Sequence, residues 1–324
     1  MNRFVSLAAA GLFSLGLVAC GSESGSPADA AKATATPDAA VKAAADALRD
    51  NNIQQFVQLS LPEARYNEVK AKFDSRERTP PEAGEAAEFA EMMTKLTADG
   101  AEDALMAELE PALVQFEAEM APQLPMMIGM GRGFAVQGIQ QNTDLTEDQK
   151  RQATQVVDAV GNWLSTVKLT DRELAKSAIA KAVAAARTLD LKSLEQVNAL
   201  SFDEALAKAG IAFGGAKDVL AVYGMDVNAT LGSVKPSVLT EQGDTARVGT
   251  TYSLLGQDLT SEQDMIREGD RWYSKDTIKA VSDALVEAPA DPVAPAAETD
   301  AAGEEAEETE EPAVIDDEEE EATN

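Results

Sequence analysis

The chain has 324 residues, with 27 lysines and arginines against 57 aspartates and glutamates, a formal net charge of −30 and a pI near 4.2. That balance excludes nucleic acid as a partner, because binding there needs Lys and Arg to displace phosphate counterions, and it opposes lying flat on an anionic membrane. Histidine is absent and cysteine occurs once, which removes the commonest general base, the commonest transition-metal ligand and any disulfide within the chain.

Met1-Asn2-Arg3 makes a positive start, Phe4 to Val18 carries no charge, and Ala19 stands before Cys20. A positive flank, an apolar run of roughly 7–15 residues and a small residue at the cut mark a secretory signal. A spanning helix would need about 20 apolar residues. The stretch Leu17-Val18-Ala19-Cys20 resembles the lipobox of bacterial lipoproteins. The resemblance implies a signal peptide over residues 1–19, cleavage before Cys20, a diacylglyceryl thioether on its sulfur and acylation, such as palmitoylation, of the new amino group. Cysteine suits this chemistry because the thiolate is a strong nucleophile near neutral pH. Gly21 and Ser22 follow, with no Asp, so the lipoprotein sorting rule implies the outer membrane and a periplasm-facing body. Two or three acyl chains anchor it stably, at about 0.8 kcal/mol per buried methylene.

Residues 20–38, rich in Ser, Ala, Pro and Gly, form a tether. A flexible segment of this kind reaches about 20–25 Å. Residues 39–169 are expected to be helical. The first helix covers about 38–50, and Asn51-Asn52 turns the chain. Ile53, Phe56, Val57 and Leu59 recur at helical spacing, and Pro62 opens a helix carrying Tyr66, Val69 and Phe73 on one stripe. Arg76 to Gly84 is a break. Phe89, Met92, Met93 and Leu96 begin another helix, and Leu105, Met106 and Leu109 extend the stripe to Pro111.

Residues 120–140, MAPQLPMMIGMGRGFAVQGIQ, hold four methionines, four glycines, two prolines and one charge, Arg132. Methionine fills irregular cores or builds adaptable apolar surfaces, so Met126, Met127, Met130 and Phe134 are candidates for an apolar binding surface as well as for core. Met120 with Met126, Met127 and Met130 offers soft thioether ligands, but no His or free Cys completes a set, and no metal or other cofactor is expected. Gly129-Met-Gly131-Arg-Gly133 does not follow a strand and lacks the lysine of a phosphate loop. Close helix packing is the expected use of these glycines. Thr146 or Thr143 then caps a helix whose buried face is Val156, Val157, Val160, Trp163, Leu164 and Val167.

Residues 170–287 combine helices with a sheet. A helical run covers 170–209, Ser201 and Glu204 form a capping box, and IAFGGAKDVLAVYG is expected as a further helix. After Met225 the texture is β. Four antiparallel strands are expected at about 226–239, 245–255, 258–268 and 271–275, with hairpin tips at Gly243-Asp244, Gly256-Gln257 and Gly269-Asp270. Ala246, Val248, Thr250, Tyr252 and Leu254 alternate as one buried face, and a helix over about 276–286 closes the fold. Residues 288–324 hold about half of the net negative charge, no basic residue and almost nothing apolar, and are expected to be disordered. The fold class is therefore α+β, a predominantly helical body with a C-terminal four-stranded antiparallel meander.

A helix ending in a polar turn, a short helix and a meander closing on Gly269-Asp270-Arg271-Trp272-Tyr273 resembles small bacterial lipoprotein domains of the nuclear-transport-factor-like kind, over residues 176–280. The resemblance implies a cone of curved sheet and helices with Trp272 packed inside. Residues 45–59 can also be laid over 183–197, pairing Arg49 with Arg187, Phe56 with Leu194 and Leu59 with Val197. A duplication or two ordinary Ala-rich hairpins would both read this way.

The acid pairs Glu117/Glu119 and Asp203/Glu204 have the residue types of a glycosidase, but in so acidic a chain solvated faces explain them. No Ser-x-x-Lys stands at a helix start, and no catalytic residue is assigned. The leading expectation is a non-catalytic binding or scaffold module of the envelope, attached to the membrane through Cys20, with the acidic tail open to a basic envelope protein. A carrier or sensor of a hydrophobic ligand, using an apolar groove near 120–139, is the alternative. An enzyme is third.

Overall fold

The computed structural model describes residues 34–143 and 145–287. The signal peptide, Cys20, most of the tether and the acidic tail lie outside the described residues. Helix α1 (Pro37–Arg49) starts at Thr36, whose hydroxyl accepts from the Ala39 amide. Asn51, at φ +60°, turns the chain into α2 (Ile53–Ser60), capped by the Asn52 side chain. Helix α3 (Glu63–Asp74) follows Pro62 and carries the Tyr66, Val69 and Phe73 stripe into an aromatic cluster around Phe202.

Helices α4 (Ala83–Thr97) and α5 (Ala101–Gln115) follow, and α5 continues through Pro111 rather than stopping there. A π-helical turn (Phe116–Met120) leads to α6 (Leu124–Gln141), in which Pro125 sits in the first turn, where a missing N–H costs nothing. Helix α7 (Glu147–Leu164) opens on a capping box of Thr146 and Gln149. Its most deeply buried residues are Ala159 and Gly161, while the valines of the expected face are only partly covered.

Helix α8 (Arg172–Leu189), α9 (Leu194–Ala199) and α10 (Phe202–Val222) repeat the long–short–long order of α1 to α3. The likeness is loose at the turn, which takes residues 50–52 in one and 190–193 in the other. The capping box of Ser201 and Glu204 is present. Helix α10 runs unbroken to Val222, so the two helices expected on either side of position 209 are one. Its glycines are retained for contact. A Cβ at Gly210 would lie 2.3 Å from the Asn51 carbonyl oxygen, and one at Gly214 would meet the Asn51 side chain at 2.7 Å. Gly215 faces Ala185 of α8 equally closely.

Residues 227–232 are a helix, α11 (Val227–Gly232), and not the start of the first strand. The Asp226 carboxylate accepts from the Ala229 amide, and this cap outweighs the β-branched pattern. Strands β1 (Lys235–Gln242), β2 (Thr245–Leu254), β3 (Gln257–Glu268) and β4 (Arg271–Ser274) form an antiparallel meander in sequence order. Ala246, Val248, Thr250, Tyr252 and Leu254 are all buried, as the alternation predicts. Hairpin tips fall at Gly243 and Gly269 with positive φ, while the middle tip is Leu255-Gly256, one residue earlier than expected. Helix α12 (Lys275–Glu287) follows.

The main core lies between the sheet and the N-terminal helix. Ala40, Val41 and Ala45 of α1 pack on Val248, Tyr252, Leu259, Met265 and Trp272, with Ala159 of α7 beside them. Trp272 is 1% exposed, and its amide donates to the Thr34 carbonyl oxygen at 3.0 Å. The helices laid on the sheet are therefore α1, from the opposite end of the chain, and α7, whereas α8 packs chiefly on α10, α5 and α4.

Two glycine substitutions separate contact from propensity. Gly210→Ala forces a methyl against a backbone oxygen and should cost about 1–3 kcal/mol despite its better helix propensity. Gly131→Ala on α6 meets open space and should gain about 0.5–1 kcal/mol. Thermal unfolding of the two variants beside the parent checks both signs.

Candidate functional site

The region singled out by composition, residues 120–140, is mostly α6. One face of the helix (Ile128, Arg132, Val136 and Ile139) is partly covered, with α7 as its main neighbour. Arg132 donates to Asp158 at 2.7 Å and to Asn162 at 3.3 Å, which ties the only charged side chain of the helix to α7. The other face has no neighbour of its own among the described residues. Met126 is 60% exposed, Met127 44%, Met130 55% and Phe134 69%. Met120, in the preceding turn, is also exposed.

The glycines of this helix were expected to serve close packing. The structure shows otherwise, since a Cβ at Gly129, Gly131, Gly133 or Gly138 would meet no atom within 4 Å. No partner within the described chain occupies the space they leave. Met126, Met130 and Phe134, four residues apart, form a ridge along the helix. Gly129 and Gly133, with the same spacing, form a shallow groove beside it. The exposed face carries no charge from Leu124 to Gln141. Charged and small polar residues are normally what such a surface presents to water, and a contiguous apolar strip marks a contact site.

Two cavities lie among the described residues away from this face, and neither is lined by it. The first, about 40 Å³ and half open, lies between α1, α2 and the sheet, among Ala45, Leu48, Phe56, Met265, Trp272 and Tyr273. That volume holds a water or two and no acyl chain. The second, about 80 Å³, is polar and lies between the start of α7 and β2–β3. There Arg247 bridges Glu262 at 2.6 Å and Asp148 at 3.5 Å, and the opposed charges hold α7 to the sheet.

The acid pairs have structural work. Glu117 pairs with Arg172, which also holds Glu110 and keeps the Glu117 carboxyl below the usual range. Asp203 accepts from Gln54 and Tyr66 and pairs with Lys70, joining α2, α3 and α10, while Glu204 completes the cap of α10.

Sequence reasoning missed two titratable groups, one buried and one half-buried. Lys217 of α10 is 2% exposed, and its ammonium donates to the Leu48 and Arg49 carbonyl oxygens at 3.0 and 2.7 Å and to Asn228 Oδ1 at 2.6 Å. Burial pushes this ammonium down to about 8, against the pull of Asp50 and Asp218. Its partners are the last carbonyls of α1, the negative end of that helix, so it acts as a C-terminal cap. The signal was the spacing of Gly210, Gly214 and Lys217 on one face of α10. Asp46 of α1 has an Oδ1 that accepts no hydrogen bond, with the Lys42 ammonium 3.5 Å away. Burial pushes its carboxyl up to about 6, and Lys42 only partly offsets that.

No known protein family, characterised protein or solved structure matches the chain.

Asp46 makes a pH prediction. The folded chain holds this proton to about pH 6, while the unfolded chain releases it near the ordinary value of 3.8. Stability from this group is present in acid and is lost as pH climbs from about 4 to 6. Asp46→Asn should therefore match the parent below about pH 4 and exceed it by up to about 3 kcal/mol at pH 7. Urea unfolding of both proteins across this range measures the difference, and a constant offset would refute the assignment.

Proposed function

We propose that this chain is a lipid-anchored binding or scaffold module of the cell envelope, held at the outer membrane through Cys20 and facing the periplasm. It works by contact and not by catalysis. The observation that carries the reading is the exposed, uncharged face of α6, with Met126, Met127, Met130 and Phe134 turned to solvent and four glycines opening onto empty space. Burying such side chains against a partner is favourable by about 25 cal/mol per Å². The lipobox residues Leu17 to Cys20 support the anchor, and among the described residues no helix is long and apolar enough to cross a membrane. The acidic tail, residues 288–324, supplies a second contact, for a basic envelope protein.

The alternative, a carrier or sensor of a hydrophobic ligand, needs an enclosed apolar space. The α6 face is open, and the apolar cavity under α1 is too small for a lipid chain.

Four experiments bear on the reading. Cys20→Ala should abolish palmitate labelling and release the protein from membranes, and retention would remove the anchor. Changing Met126 and Met127 together to Gln should leave stability within about 0.5 kcal/mol, as for surface positions, while removing envelope cross-links made by the parent. A loss of several kcal/mol would instead make them core. Lipid found with the purified parent by native mass spectrometry, and lost in that variant, would favour the carrier. Cross-links made through the tail should weaken with rising salt and vanish on deleting 288–324.

A further inference from the structure

Resting on the binding-module reading and naming its partner, we infer that the α6 face is the contact between two copies of this chain. Three observations select this occupant. The first is charge. Between Lys95 and Lys150 the only basic residue is Arg132, and it is bound to Asp158 and Asn162. The strip therefore offers no cation to anionic headgroups, which interfacial helices require. Nor does it present a charge that a charged partner would recognise. The remaining surface is rich in acids, and the strip lets two copies of a −30 chain meet without opposing like charges across it.

The second is shape. The Met126, Met130 and Phe134 ridge and the Gly129 and Gly133 groove run side by side with the same spacing. Across a two-fold axis the ridge of each copy faces the groove of the other, because an isologous contact pairs a patch with itself. Packing of two such rows gives a crossing near −50°. The open glycines let the backbones approach closely enough for the methionines to be enclosed.

The third is size. An 18-residue helix is about 27 Å long and about 10–12 Å across. A pair of these faces buries on the order of 1,000 Å², at the lower limit of specific interfaces. The dimer is therefore weak in free solution and is favoured when both copies are held on one membrane, where tethering raises the effective concentration.

The test uses the full-length chain in isolated envelopes. Met130→Cys places a thiol at the centre of the strip, and Glu241→Cys places one on the exposed strand β1 as a control. Mild oxidation should link Met130→Cys chains into a species of twice the mass, with the disulfide located by mass spectrometry, and should leave the control monomeric. The yield should rise severalfold with added salt, because screening relieves repulsion between acidic bodies. Phe134→Glu in the same background should abolish the link while unfolding at the same temperature as the parent, since that side chain is largely exposed. Monomer alone under these conditions, or equal linking at both positions, overturns the pairing. Adducts between Met130→Cys and a different protein overturn self-association and leave the binding-module reading standing, whereas no adduct of any kind at this position counts against both.

Discussion

Helix α10 can lie across the end of α1 because three positions on one of its faces are shaped for it. Gly210 and Gly214 let the Asn51 turn come within backbone contact, and Lys217, one turn further on, closes the last carbonyls of α1. A side chain at either glycine would press on the Asn51 turn and draw Lys217 away from the Arg49 carbonyl, while the Leu48 carbonyl keeps the Asn51 amide. With its end fixed, α1 presents Ala40, Val41 and Ala45 to the sheet, and α2 and α3 are led to the Phe202 cluster. The arrangement joins sequence neighbours of the N-terminus to strands formed more than 200 residues later, as the pairing of Thr34 with Trp272 shows. Contacts of such high sequence separation are costly to close, so the small residues that permit tight packing are under a strong constraint.

The sheet was legible because its signal is local. Alternation over Ala246 to Leu254 states which face is buried, and glycine pairs state where the hairpins turn. The capping boxes of α7 and α10 are equally local. Residues 227–232 read as strand because Val227 and Thr230 are β-branched, and one carboxylate, Asp226, decides for a helix. The partner of the sheet was not legible. Two Ala-rich helix–turn–helix segments compete for it, and what separates them is the glycine and lysine face of α10, which recognises the Asn51 turn. Nothing in the Ala-rich sequences themselves marks that choice.

The α6 face was half legible. Composition singled out Met126, Met127, Met130 and Phe134 but favoured core over an exposed surface, because methionine serves both. The glycines pointed the wrong way. Glycine in a helix suggests close packing against a neighbour within the chain. The structure shows the space beside Gly129 and Gly133 to be empty, whereas that beside Gly210 and Gly214 is filled. The same residue type at the same spacing thus has a satisfied role in α10 and an unsatisfied one in α6. That contrast, rather than exposure alone, is what supports the contact proposed for the second face.

An uncharged strip on so acidic a protein also has a physical consequence for where it acts. In solution, repulsion between copies and the entropy lost on association work against a contact of about 1,000 Å². On the lipid-anchored reading the translational cost is largely met beforehand, because both copies are confined to one surface. Repulsion among the acidic bodies then favours an approach along the uncharged face of α6. Charge acts here as a device of specificity more than of affinity. The abundance of carboxylates, which argues against nucleic acid as a partner, favours an uncharged helix face for the proposed contact.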